Sequence, residues 1–124
     1  MIKLYKSKYE YDAQSFNNGS SVLGLGTPVV VEAGKLKAST TPDFVTLQPC
    51  LADEKECIVH RINADELYSM PLSANGSALA VGDIVAITVD GKATATKGDA
   101  GLKIEEFATE TKAAGEVVIG RFVK

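Results

Sequence analysis

Residues 23–40, LGLGTPVVVEAGKLKAST, and residues 79–97, LAVGDIVAITVDGKATATK, are two versions of one design. Leu23 corresponds to Leu79, Leu25 to Val81, Gly26 to Gly82, Val29 to Val85 and Val31 to Ile87. After one extra residue in the second version, Gly34-Lys35 corresponds to Gly91-Lys92 and Ala38 to Ala95. Each reads as a β-hairpin: β-branched residues in alternation, a glycine turn, then a short strand. Asp90-Gly91 between two such runs predicts a type I′ turn, in which both central residues take positive φ. Pro28 has no N–H to give to a ladder, so the first hairpin is expected to begin at a sheet edge. The versions differ where chemistry would sit: Asp83 stands where the first has Thr27, and Ile84 where it has Pro28. What they share is apolar alternation and the turn glycine. The repeat therefore reads as scaffold, and function is expected in the unrepeated ends and on the outer surface.

Outward from the repeat the chain stays β-rich. Residues 44–47 (FVTL), 55–62 (KECIVHRI) and 117–123 (VVIGRFV) read as strands. Asn63 with Glu66 three residues on has capping-box spacing, which predicts a short helical turn before Met70-Pro71. Residues 102–114 fit either a helix or a strand followed by a loop, and the flanking Gly98 and Gly101 favour the second. The sum is roughly seven to nine short strands with one helical turn. The expected fold is all-β, a small β-barrel or β-sandwich.

With 124 residues and 45% hydrophobic content, the chain is expected to bury one core without metal or disulfide support. The net charge of −3 is spread in both signs and no basic stripe faces one way, so no nucleic-acid partner is expected. No apolar run nears the ~20 residues of a spanning helix, so no membrane partner is expected either. The start, MIKLYKSKYEYDAQ, lacks a leader-like apolar run and reads as a cytoplasmic, unprocessed N-terminus.

Residues 1–16 stand apart as an N-terminal arm or edge strand, with 17–124 as a single β-barrel or sandwich domain. Tyr5, Tyr9, Tyr11 and Phe16 are half of the aromatic residues, and they precede the polar break 17–21 (NNGSS). Two readings stay open: an edge strand on the chain's own body, or an arm that docks on another subunit through Leu4, Tyr5, Tyr9, Tyr11 and Phe16.

The residues that could carry chemistry are few. His60 is the only histidine and lies inside an apparent strand, which reads as a structural or surface role. No G-x-S-x-G elbow, phosphate-binding glycine loop or H-E-x-x-H run occurs. Asp53-Glu54 and Glu105-Glu106 are adjacent acids, and neighbours on a strand face opposite ways. Cys50 and Cys57 could close a loop, but a cytoplasmic origin favours reduced, buried thiols. Together with His60 and an acid from Asp53, Glu54 or Glu56 they invite a metal, yet the spacing matches no common zinc pattern. No catalytic residue, cofactor or metal is expected, and the chain is read as no enzyme.

Residues 79–91 also resemble the L-x-x-G-D-x-I run of PDZ domains, but a strand follows where a PDZ domain has its groove helix. Lys35 and Lys92 look like the modified lysine of lipoyl carriers, which use one such lysine and not two. A longer likeness lies in VHRINADELYSMPLSANGSALAVGDIVAITVDGKATAT and the late IGRF. This part, roughly residues 57–124, resembles the small β-rich decoration proteins of tailed-phage heads. The features that carry it are Val59 and Arg61, Pro71-Leu72-Ser73, Leu79-x-Val81-Gly82-Asp83-x-Val85, the Asp90-Gly91 hairpin, Ala113-Ala114-Gly115-Glu116 and the closing strand. The resemblance implies a non-enzymatic auxiliary capsid protein, made in the host cytoplasm and carried on the virion surface. It implies binding to the major capsid protein and self-association, with a trimer favoured. A head-fibre base, or a stand-alone β-barrel module for a peptide or glycan, is the alternative.

Overall fold

The computed structural model describes residues 1–6 and 12–124, and every regular element within them is a strand. In chain order these are β1 (Lys3–Lys6), β2 (Ala13–Asn18), β3 (Pro28–Glu32), β4 (Lys35–Ala38), β5 (Phe44–Thr46), β6 (Cys57–Arg61), β7 (Leu67–Pro71), β8 (Ile84–Ile87), β9 (Ala93–Lys97), β10 (Gly101–Phe107) and β11 (Val117–Val123). Strands β2 to β6 make a closed barrel in the order β2-β4-β3-β5-β6, with β2 antiparallel to β6 and parallel to β4.

Strands β7 to β11 repeat that arrangement one for one, in the order β7-β11-β10-β8-β9. The register repeats as well. Phe44, Val45 and Thr46 face Arg61, His60 and Val59, while Leu102, Lys103 and Ile104 face Phe122, Arg121 and Gly120. Gly26 N–H donates to Thr46 O (3.0 Å) and Thr46 N–H to Thr27 O (3.0 Å); Gly82 N–H donates to Ile104 O (2.7 Å) and Ile104 N–H to Asp83 O (2.9 Å). The duplication visible in the sequence as one hairpin therefore extends over five strands.

The two repeats differ at the seam. In the first, Asn17 and Asn18 of β2 pair with Lys35 and Leu36 of β4 and close the barrel. In the second, a single parallel bridge, Leu72 to Ala93, spans the same position. Strand β1 takes the adjoining stretch of that β7 edge, pairing Lys3 with Ser69 and Leu4 with Tyr68. The start of the chain thus covers the open side of the second repeat.

Each repeat has its own apolar cluster. Leu23, Val29, Leu36, Phe44, Cys50, Cys57 and Val59 fill the first, with Phe16 packed against them. Tyr68, Met70, Leu72, Leu79, Val85, Ile87, Leu102, Ile104, Val118 and Phe122 fill the second. A fully buried aliphatic side chain of this kind contributes about 1.5–3 kcal/mol. Val45 belongs to the first barrel by strand but packs with Ile2 in the second cluster, so one outer face of the barrel is buried against its neighbour. The N-terminus closes this junction: Ile2 N–H donates to Gly26 O (3.0 Å) and the Met1 ammonium to Gly91 O (3.3 Å). A Cβ on Gly26 would lie 2.6 Å from Ile2 O, and one on Gly91 2.8 Å from Gly26 O. Only glycines let these three backbones meet.

Several expectations change. The helical turn after Asn63 does not form; the capping-box pair instead closes a single turn, Glu66 N–H to Asn63 O (3.2 Å), and Leu67–Pro71 is drawn into strand by β1 and β11. Pro28 starts an interior strand of the barrel, tolerated because it is the strand's first residue. The type I′ turn belongs to the first hairpin, where Ala33 (φ 51°) and Gly34 (φ 78°) are both left-handed. In the second, Thr88 N–H donates to Lys92 O (2.8 Å), Gly91 N–H to Thr88 O (3.1 Å), and Gly91 alone of the loop takes positive φ. That is a three-residue loop, a type I turn followed by a left-handed glycine, and the one extra residue selects it. Residues 102–107 are strand, followed by loop to Glu116.

Candidate functional site

Among the described residues, the histidine, the cysteines and their acidic neighbours gather in two places, both inside the fold. The first is the junction between repeats, where β6 ends and β7 begins. His60 is 1% exposed and Glu66 likewise, brought together by the 62–66 turn. Asp12 N–H donates to His60 Nδ1 (3.1 Å), so Nδ1 is an acceptor and the ring proton sits on Nε2. Nε2–H donates to Glu66 Oε1 at 3.0 Å. The same oxygen accepts from Asn63 Nδ2 (2.6 Å) and Tyr68 Oη (3.3 Å), while Tyr68 Oη accepts Asn63 N–H (3.2 Å). Burial, with the Glu66 carboxylate beside it, pushes the Tyr68 phenol well above its ordinary range. The Tyr68 ring packs edge-on to Phe122 with centroids 5.1 Å apart.

A general base must offer a nitrogen to a reacting proton. Both His60 nitrogens are already bonded, and the buried ring lies with its centroid 6.2 Å from that of Tyr68. What this cluster does is hold: it ties β6, the turn and β7 through one carboxylate oxygen. A cleft of about 320 Å³ runs beside it, lined by Met1, Leu4, Leu25, Leu47, His60 and Tyr68 among others.

The second place is the end of the first barrel. Cys50 and Cys57 are free thiols, both 0% exposed, and their sulfur atoms and a Glu54 carboxylate oxygen all lie within 4.8 Å of one another. Glu54 Oε2 accepts Leu51 N–H (2.7 Å). Burial and the neighbouring Cys57 thiol push the Cys50 thiol up to about 12, which keeps it protonated. Among the described residues this is the one group of three donors close enough to share a metal ion. The acid that joins the cysteines is Glu54; His60 is engaged at the junction instead.

The candidate docking residues of the arm separate. Leu4 is half-buried and packs on the second core. Phe16 sits in β2, half-buried on the first core, with its ring 5.2 Å from that of Phe44. Tyr5 is exposed, and Tyr9 and Tyr11 lie outside the described residues. A boundary at residue 16 cuts through β2, the strand that closes the barrel.

The exposed aliphatic side chains form a pattern that apolar alternation hides. Leu25 (44% exposed) and Val81 (63%) occupy the same turn position in the two repeats, just before Gly26 and Gly82. Val22 and Leu51, flanking the Leu23–Cys50 bridge, are exposed together at the barrel end. The signal was present in the sequence, since both hairpins keep an apolar residue there. Conservation of type between the copies reads as core until the turn is seen to point outward.

Compared with models of known protein families and with curated proteins, the sequence matches none.

Proposed function

We propose that this chain is a non-enzymatic structural protein of a bacteriophage head, which decorates the capsid exterior by binding the major capsid protein. The reading starts from the resemblance of residues 57–124 to head decoration proteins. The observation that carries it furthest is the division of labour in the fold. The chain's histidine and its two cysteines are spent on interior contacts, while large aliphatic residues are displayed at equivalent turns of two repeats. Exposed apolar groups set among charges are what a docking surface presents. Under this reading Leu25, Val81 and Tyr5 are contact residues, Leu4 and Phe16 support them from within, and self-association as a trimer accompanies binding.

The test is cosedimentation of the purified chain with heads assembled from the major capsid protein that it is proposed to bind. Saturable binding at a fixed ratio to capsid subunits is the expected result. A chain that stays in the supernatant at all concentrations removes the proposal. The alternative, a stand-alone peptide-binding module, draws on a second cleft of about 320 Å³ lined by Thr40, Pro42, Ala86 and Phe122 among others. Light scattering separates the two: a stable symmetric oligomer goes with the capsid reading and a strict monomer with the module.

A further inference from the structure

The first barrel is closed at one end by the segment 50–57. Cys50 forms a two-way backbone bridge with Leu23 (2.8 Å each way), and Cys57 opens β6 opposite Phe16. Between them Leu51, Ala52, Asp53, Lys55 and Glu56 are exposed, so the two thiols are the buried feet of a surface loop. Asp53 (φ 57°) and Glu56 (φ 61°) both take the left-handed conformation that L-residues adopt at a cost. The loop between the two buried cysteines thus carries two left-handed residues.

Packing alone does not ask for cysteine here. In the second repeat Val118 faces Met70 as Cys57 faces Phe16, and it fills the equivalent core position as a plain aliphatic. Nor do the thiols find strong partners: Cys50 Sγ donates to Gln48 O at 3.7 Å and Cys57 Sγ to Glu54 O at 3.9 Å, both long contacts. Both sulfurs face carbonyl oxygens and Cys50 is held protonated by burial and its Cys57 neighbour, surroundings that suit an uncharged product in an apolar core.

We propose that Cys50 and Cys57 are a latent cross-link, closed by a small-molecule disulfide such as glutathione disulfide once the chain leaves a reducing compartment. The Cys57 thiolate attacks one sulfur of the oxidant and expels a glutathione thiolate, which takes up the proton Cys57 lost. The Cys50 thiolate then attacks Cys57 Sγ and expels the second glutathione. Two protein thiols become one disulfide, one oxidant molecule becomes two thiols, and two electrons pass from protein to glutathione. Because both thiols are buried and Cys50 is held protonated, the exchange waits on opening of the 51–56 loop, and oxidation of the folded chain is slow. Once made, the bond pins the end of the barrel.

The test uses the full reduced chain incubated with glutathione disulfide, followed by intact mass and thermal melting. The expected product has lost two hydrogens, contains no glutathione adduct, and melts higher by on the order of 10 °C. The Cys50→Ala/Cys57→Val double variant, which copies the second repeat's valine, should fold and show neither change. Thiols that stay free after prolonged incubation, or an oxidised chain that melts no higher than the reduced one, overturn the proposal. So does a thiolate-to-metal absorption band when the reduced chain is titrated with Co²⁺, because the pair would then be a metal site.

Discussion

The two hairpins share sequence and the backbone hydrogen bonds that lead into them, but the second carries a bulge in its ladder, and their turns live in different surroundings. The Ala33-Gly34 turn projects from the first barrel with nothing within 4 Å of a Cβ on Gly34. The Val89-Asp90-Gly91 loop of the second is one residue longer and folds back, so that Gly91 is buried against Gly26 and the N-terminus. The turn before each first strand is also fixed differently. Thr27 and Thr46 hydroxyls donate to Gly24 O (2.7 and 2.8 Å) in the first repeat, while the Asp83 carboxylate accepts Ala80 N–H (2.9 Å) in the second. One inserted residue and one Thr/Asp difference convert a free turn into a junction and a hydroxyl cap into a charged one.

The largest effects fall where the repeats meet. His60→Leu removes a neutral donor from a buried carboxylate and should cost about 2–4 kcal/mol in urea unfolding. A cost below about 1 kcal/mol would mean the junction cluster does not join the repeats. Gly91→Ala must force backbone atoms apart as well as strain its own φ, and about 2–4 kcal/mol of destabilisation is expected. Gly34→Ala meets open space and suffers only its left-handed φ, about 1 kcal/mol. Equal losses at the two glycines would break the comparison. Ala33→Gly relieves a strained alanine and should stabilise by about 0.5 kcal/mol, after the glycine's extra freedom in the unfolded chain is discounted.

The smallest difference is one of pH. The Ala80 N–H, and after it Lys97, holds the Asp83 carboxyl below its ordinary value. A lowered carboxyl contributes stability that is complete above the unfolded value, about 3.9, and is lost as pH falls through the lowered one. Asp83→Asn should therefore flatten the acid side of a Tm-against-pH curve. Thr27→Val, at the matching position, should leave the shape of that limb unchanged.

Much of this fold is legible in the sequence because strand alternation and turn glycines are local signals. The final strand, Val117–Val123, and both hairpins follow from them. The wider duplication is not legible, because β2 and β7 or β6 and β11 share only register: Cys57 and Val118, or Val59 and Gly120, have no common side-chain identity. Likewise Asn63 and Glu66 have capping-box spacing, but their side chains meet over a buried histidine from another strand. Only tertiary pairing could reveal that. The cysteines announce themselves, whereas Glu54 as their neighbour depends on two left-handed residues that no local pattern requires.

Under the proposed function, interior chemistry holds the two repeats together while their equivalent outward turns bind the capsid. The most direct test is the Leu25→Ser/Val81→Ser double variant in the head cosedimentation assay, with its thermal melt recorded alongside. A melt within about 3 °C of the parent chain, as surface substitutions allow, together with loss of head binding by about tenfold or more, is the predicted result. A double variant that still decorates heads at full occupancy would contradict it.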